Sequence, residues 1–527
     1  MNEWVPAERL TFATLLDRQA EAFGDKPFLW LDDRCITFAD ARRRATAAAN
    51  QLLALGLGPG DTLALFAGTC AEWVDAWLGA PQAGIRTVPL NLAYRGEYLR
   101  NLLAETKAKA VLTDPAFLPA VVAVAGELPD LRTVIVRGGA PDSPPDGVTL
   151  VSADLFGAGD RDRVRGGTPL AWNEPATVMY TSGTTGPSKG ALLTQHYLCT
   201  CATVLNERYG TTADDVMYAA VPLFHISGSM FVVLGSLTSG RSSALDSAFH
   251  PTTTWDRVRQ YDATQFFGVG AMIAMLSSLP PSPDDAKLPF RLMIGAPIPA
   301  ELHRPLEERY DCKVVAGYAL SEATPIATHH VDEPRIPGTV GRPVPLFEVR
   351  LVDDDDEPVP TGCVGEITVR PRYPHVMFEG YLDRPAETLA QCRNLWFHTG
   401  DLGRFDTDGN LAWVDRKKDA IRRRGENISS FEVEQAVLRH PAVAECAAHG
   451  VPSPLGEEDV KICVVLRPGA DVTPAALVAH CQGHLPRFAV PRYVEVRTDL
   501  PKNQVGRVLK HQLREDPLSE ATWDQEA

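Results

Sequence analysis

YTSGTTGPSKG, residues 180–190, is the stretch on which the reading of the whole chain turns. Upstream, residues 176–180 read as a short buried strand. Downstream, residues 191–193 read as another, with a helix expected to start near His196. Glycine permits the φ > 0 positions at which consecutive backbone N–H groups converge on one point. The hydroxyls of Thr181, Ser182, Thr184 and Thr185 add donors, and Lys189 adds a full positive charge. Thr181, Ser182, Gly183, Thr184, Thr185, Gly186 and Lys189 therefore describe a cradle for phosphate oxygens. The bland alternative is a solvated Gly/Thr/Ser loop; Pro187 and Lys189, set beside the hydroxyls, weigh against it. This is not a Walker A loop, which needs Gly, four residues, then Gly-Lys-Ser/Thr. Here Gly183 is followed after four residues by Ser188. A dinucleotide G-x-G-x-x-G following a strand is absent as well.

A length of 527 residues calls for two to four domains. Apolar content of 45% and charged content of 22% fit a globular protein. The net charge of -16 argues against general nucleic-acid or anionic-membrane binding, so positive potential must be local, around Lys189. The cysteines form no C-x-x-C pair, and the opening MNEWVPAERL has neither a basic nor an apolar leader region. A cytoplasmic protein with reduced thiols is expected. The uncharged stretch at residues 226–240 is too short and too rich in Gly and Ser to span a bilayer.

Along the chain, helical patterns (12–23, 71–82, 94–105) alternate with strand patterns (61–66, 85–90, 110–113). This is the order of a layered α/β domain. Residues 150–167 read as irregular. A second α/β run has strands at 216–220, 263–267 and 291–293, and helices at 228–237 and 299–310. Residues 344–370 alternate strands with turns and suggest a small β subdomain. The charge run DRKKDAIRRRG, residues 415–425, reads as a domain boundary. The expected fold class is α/β. A large N-terminal domain (1–414) holds layered α/β subdomains and the small β subdomain. A small mobile C-terminal α+β domain (415–514) follows, then an acidic tail (515–527) read as disordered.

YTSGTTGPSKG resembles the phosphate loop of the adenylate-forming superfamily, which contains acyl-CoA synthetases, luciferases and nonribosomal adenylation domains. Further stretches match in the expected order. GAP, residues 295–297 (Gly295, Ala296, Pro297), and GYALSE, residues 317–322, resemble the two halves of an adenine site. The resemblance implies Tyr318 as the ring stacked on the purine, Ser321 as a retained hydroxyl and Glu322 as the Mg²⁺ carboxylate. Ala319 stands where the family usually has Gly, at the floor of the substrate tunnel. His225, in FHISG, falls at the wall of the acyl pocket; amino-acid activators carry Asp there, so an amino-acid substrate is disfavoured. Phe267, Gly268, Gly295 and Gly317 complete the implied pocket. HTGD, residues 398–401, resembles the ribose-binding motif, with Asp401 accepting from the diol. Arg416 is the second implied nucleotide contact, Lys418 the hinge, and Gly425 the lining of the pantetheine tunnel, with Ser430 the expected cap of the helix that follows. The wording RRRGENISSFEVE is especially like the crotonobetaine/carnitine-CoA ligase branch.

The C-terminal signature LPKNQVGRVLK, residues 500–510, holds Arg507 where the family usually has a catalytic Lys, and Lys510 follows three residues on. Either is a candidate cation. The resemblance implies a two-step ligase using ATP, Mg²⁺ and CoA. A carboxylate gives acyl-AMP and pyrophosphate, and the thiol of CoA then displaces AMP. Two alternatives stay open: transfer of the adenylate to an amine, carrier protein or other nucleophile, and a non-catalytic nucleotide-binding regulator.

Overall fold

The computed structural model describes residues 9–139, 147–157, 160–181, 188–296, 298–417, 419–423, 426–453, 458–485, 487–502, 506 and 508–526. They form an α/β protein of two compact units. One is Met1–Val349 with Val369–Phe397, and the other is Arg350–Thr368 with His398–Ala527. The expected boundary at 414/415 falls inside the second unit. No helix among the described residues is long and apolar enough to cross a membrane.

The first unit contains two large sheets. A seven-stranded sheet runs Thr149–Ser152, Thr133–Val136, Ala108–Thr113, Thr62–Phe66, Arg86–Pro89, Pro175–Thr181 and Lys189–Thr194. All its pairs are parallel except the last. The central strand Thr62–Phe66 is buried on both faces, which is why it reads as an unbroken apolar run. Thr149–Ser152, of which residues 150–152 read as irregular from sequence, forms the edge strand; its T-L-V-S pattern is too short and too exposed to announce itself.

A nine-stranded sheet runs Arg342–Pro343, Ala327–Thr328, Lys313–Tyr318, Leu292–Ala296, Gln265–Val269, Val216–Ala219, Ser242–Leu245, Pro27–Leu31 and Arg34–Thr37. Its middle pairs are parallel and its outer pairs antiparallel. The helix Phe12–Phe23 follows the sequence pattern residue for residue. Thr11 caps it and exchanges a reciprocal pair of side-chain hydrogen bonds with Thr14, while Leu15, Leu16 and Gln19 turn inward.

The expected helix at 228–237 is split. Ser227–Leu234 has the wider π geometry and Gly235–Ser239 is α. Side chains compete for its carbonyls: Arg241 Nη2 donates to Phe231 O at 2.8 Å and Ser236 Oγ donates to Val232 O at 3.0 Å.

In the second unit a four-stranded sheet is ordered Phe347–Val352, Val364–Pro371, Phe397–Phe405 and Leu411–Arg416. A short hairpin, Ile421–Arg423 with Glu426–Ile428, leads to the helix Ser430–Leu438. Residues 426–428 are thus strand, not the start of the helix, and the cap is Ser429 rather than Ser430. Ser429 Oγ accepts from Glu432 N at 3.1 Å and donates to Val414 O at 2.9 Å. Ser430 is instead taken up by Asp415, whose Oδ2 accepts from Ser430 N at 2.6 Å and from its hydroxyl at 2.7 Å.

A second sheet, Val443–Pro452, Glu458–Leu466, Tyr493–Arg497 and Thr522–Asp524, packs on the helices Ser430–Leu438 and Pro474–Gln482 around Val433, Val437, Ile462 and Leu477. The last strand overturns the disordered tail: Thr522–Asp524 pairs antiparallel with Tyr493–Arg497. Arg492 holds both Asp524 carboxylate oxygens at 3.0 Å. Lys461, with no exposed surface, donates to Glu495 at 2.5 Å, Pro517 O at 2.9 Å and Thr522 Oγ1 at 3.0 Å. Truncation after Asp516 removes two of these three partners. Because unsatisfied buried donors cost about 1–3 kcal/mol each, the melting transition of this unit is expected to fall on truncation. An unchanged transition in differential scanning calorimetry would show that the tail strand contributes nothing.

Candidate functional site

In the first unit, the expected pocket residues collect at the carboxyl ends of adjacent parallel strands, where ligands of open α/β sheets sit. Phe267 and Gly268 end Gln265–Val269, Gly295 and Ala296 end Leu292–Ala296, and Gly317 and Tyr318 end Lys313–Tyr318. Gly268 lies opposite Gly295, and Gly295 opposite Ala316. A Cβ at Gly295 would come within 2.2 Å of Ile273 Cδ1, so only glycine fits there without a shift. Phe267 meets Phe231, from the π-helix, edge to face at 4.9 Å. Tyr318 is buried.

His225 stands exposed before the π-helix. Its Nδ1 accepts from Ser227 N at 3.2 Å, so in the neutral ring the proton sits on Nε2. Ala319 and Ser321 follow directly on the strand that carries Gly317, and Ser321 O accepts from Tyr197 OH at 3.0 Å.

Lys189 and Thr181 face each other across the antiparallel pair Pro175–Thr181 and Lys189–Thr194. The intervening Ser182, Gly183, Thr184, Thr185 and Gly186 lie outside the described residues, as do Pro297, Lys418, Gly425 and Arg507. Lys189 Nζ is 3.3 Å from Glu387 and 5.0 Å from the ring centroid of Tyr381. Glu322 is buried, and its Oε1 accepts from Tyr381 OH at 2.8 Å. One tyrosine therefore touches both Lys189 and Glu322. Tyr381 and Glu387 escaped the sequence reading; the one local signal was Pro385 with Glu387 behind it, the mark of a helix start.

In the second unit Asp401 and Arg416 are brought together. They are register partners on neighbouring strands, with Arg416 Nε 2.9 Å from Asp401 Oδ1. Asp401 has no exposed surface, so Arg416 covers the carboxylate expected to meet a diol. Lys510 opens the helix Lys510–Glu515 and is spoken for. Its Nζ is 2.7 Å from Glu434 Oε1 and 2.5 Å from Ser430 Oγ, with most of the side chain covered. Burial raises the Glu434 carboxyl from its ordinary value, and the Lys510 charge opposes that rise.

A cleft of about 430 Å³ lies elsewhere, against the opposite, amino-terminal ends of Thr62–Phe66, Arg86–Pro89 and Ala108–Thr113. Its rim mixes Arg86, Lys107 and Arg132 with Glu105 and Asp130, and none of the expected site residues line it.

Comparison with known proteins places the chain in a family. Residues 16–382 match the AMP-binding enzyme family, and residues 432–507 match the AMP-binding enzyme C-terminal domain. A feruloyl-CoA synthase from an Amycolatopsis species is 34% identical over 490 residues, covering 91% of this chain and 93% of that one. A crotonobetaine/carnitine–CoA ligase from Salmonella paratyphi A is 28% identical over 508 residues, covering 94% and 98%. The crystal structure of ATP-bound MatB from Rhodopseudomonas palustris superposes with a TM-score of 0.84 at 28% identity, covering 95% and 98%. The fold and these relatives define an adenylate-forming enzyme. The chain belongs to the AMP-binding enzyme family, as an AMP-forming acyl-CoA synthetase.

Proposed function

We propose that this chain activates a flat, largely apolar carboxylic acid in two steps, with the first carried by Lys189 and Glu322. The observation that carries this assignment is the pairing of a half-exposed lysine beside the glycine-rich loop with a buried carboxylate, both touching Tyr381. Glu322 suits Mg²⁺: it is a hard oxygen donor, and a cation that bridges phosphates needs only one or two carboxylates and keeps its waters. When bound, Mg²⁺ neutralises charge on the triphosphate. Lys189 and the loop hydroxyls hold the β- and γ-phosphates, the acid attacks the α-phosphate, and pyrophosphate leaves. The barrier falls through positioning and charge stabilisation, with no protein nucleophile.

Tyr318 stacks on the adenine. Asp401 takes the ribose diol once Arg416 moves off it. With Lys418 as hinge, the C-terminal part turns so that CoA enters past Gly425. CoA is the acceptor in preference to an amine or carrier protein, in keeping with the relatives' names.

Support for a flat acid is the Phe267 wall braced by Phe231 and the 34% identity to a feruloyl-CoA synthase. Pocket contacts of this kind separate related acids by roughly 10–200-fold. Arylpropenoates such as ferulate are therefore expected to exceed carnitine in kcat/KM by at least about tenfold. A panel assayed for CoA-dependent AMP release checks this, and preference for carnitine would reverse the assignment of the acid.

Lys189→Ala is expected to lower kcat/KM for MgATP roughly 10–100-fold, the worth of one charged hydrogen bond. Its circular dichroism should not change, because the side chain is not in the core. A folded Lys189→Ala protein with normal pyrophosphate release would sink the phosphate-loop assignment.

A further inference from the structure

Residues 379–382 run as an added edge beside Lys189–Thr194. Glu379 N donates to Leu192 O at 2.8 Å, Leu192 N donates to Gly380 O at 2.9 Å, and Leu382 N donates to Gly190 O at 2.8 Å. The same segment grips Glu322 through its backbone, since Phe378 N donates to Glu322 O at 2.9 Å. Its far end is pinned as well. Tyr381 N donates to Thr388 Oγ1 at 2.9 Å, and Arg384 donates to Glu105, which also accepts from Tyr180 OH at 2.8 Å.

Tyr381 thus enters from a rigid edge with little freedom of its own. Its ring packs on Phe378 at 5.1 Å, it is 7% exposed, and its hydroxyl reaches Glu322 Oε1 at 2.8 Å. The hydroxyl is the donor in this hydrogen bond and the carboxylate oxygen the acceptor.

We propose that Tyr381 is a positioning residue that aims the Glu322 carboxylate at the metal and parks the Lys189 ammonium beside it. This rests on the assignment of Glu322 to Mg²⁺ and Lys189 to phosphate. The physical case has two parts. A carboxylate held by a fixed donor keeps its orientation, and partners that orient metal ligands matter almost as much as the ligands. An ammonium within about 6 Å of a ring centroid is attracted to the ring face. With Glu387 only 3.3 Å away, that attraction keeps Lys189 close to the phosphate loop without a phosphate to hold it. The hydroxyl therefore serves Glu322, the ring serves Lys189, and the two are separable by mutation.

The test is metal binding, not turnover. Mn²⁺ is titrated by EPR into the full-length enzyme saturated with a non-hydrolysable ATP analogue. Tyr381→Phe keeps the ring and its packing on Phe378; it is expected to weaken Mn²⁺ on the order of 10–100-fold, with metal-free analogue affinity unchanged. Tyr381→Leu should also weaken metal-free analogue binding, by roughly 3-fold. In a Glu322→Gln background, Tyr381→Phe should cause no further loss of Mn²⁺ affinity. If Glu322→Gln loses Mn²⁺ and Tyr381→Phe does not, the positioning role is overturned while the metal assignment stands. If neither variant loses Mn²⁺, the metal assignment and the positioning role fall together. Additive losses in the double variant would place Tyr381 outside the Glu322 site and also overturn the role.

Discussion

Arg507→Ala is expected to slow acyl-AMP formation on the order of 10²–10³-fold, the usual effect of losing a pre-organised charge aimed at a transition state. Preformed acyl-AMP should still be converted by CoA. Two cations compete for this role in LPKNQVGRVLK, and the expectation for Arg507 rests on the partners that Lys510 already has. Its ammonium lies between Glu434 and Ser430, and Ser430 in turn is bonded to Asp415. A cation that leaves such a cluster abandons a largely buried carboxylate. Removing one partner of a buried ion pair costs about 3–5 kcal/mol. Lys510→Ala should accordingly act on stability, lowering the thermal midpoint while the folded variant adenylates at close to the normal rate. Arg507 carries the same charge with a larger, planar head that can fork two oxygens, so it can bridge the acid and the α-phosphate but not in the manner of a lysine. Single-turnover measurement of both half-reactions decides the matter. Loss of adenylation in Lys510→Ala alone, at full fold, would move the catalytic cation one turn along the chain.

Gly425→Trp is expected to have the opposite signature: acyl-AMP forms normally, and thioester formation drops on the order of 10²-fold or more, the scale of effect seen when a reacting group is displaced by an ångström or so. An indole at this position obstructs the path of the pantetheine arm, which only the second step uses. Rapid-quench measurement of acyl-AMP and acyl-CoA in the same sample separates the two steps. Equal survival of both would remove Gly425 from the CoA path.

The parts of the fold that were plain in the sequence are those where one periodicity dominates. The helix Phe12–Phe23 has a cap, an apolar stripe and a glycine stop, and nothing tertiary contradicts them. Parallel strands such as Thr62–Phe66 are buried on both faces and read as continuous apolar runs. The candidate site came from the resemblance carried by YTSGTTGPSKG and the motifs that follow it in order. What stayed hidden was set by long-range partners. Pro27–Leu31 joins the nine-stranded sheet beside Ser242–Leu245, more than 200 residues away, and short strands of this kind have little local signal. The π-helix depends on Arg241 reaching back to Phe231 O. The tail strand is acidic and polar, so composition pointed to disorder; Arg492 and Lys461 give it charge partners and an edge to pair with. The cap expected at Ser430 falls to Ser429 because Asp415 takes up Ser430. Tyr381 lies almost 60 residues beyond Glu322, and no spacing links the two; the extra edge formed by residues 379–382 does.

The measurement that bears most directly on the central claim is isotope exchange between pyrophosphate and ATP, run beside AMP release on the same enzyme. A two-step acyl-CoA synthetase should catalyse exchange when ATP and a suitable acid are present and CoA is absent, and should release AMP in multiple turnovers only once CoA is added. Exchange that needs no acid, or multiple-turnover AMP release that ignores CoA across the acid panel, would contradict it.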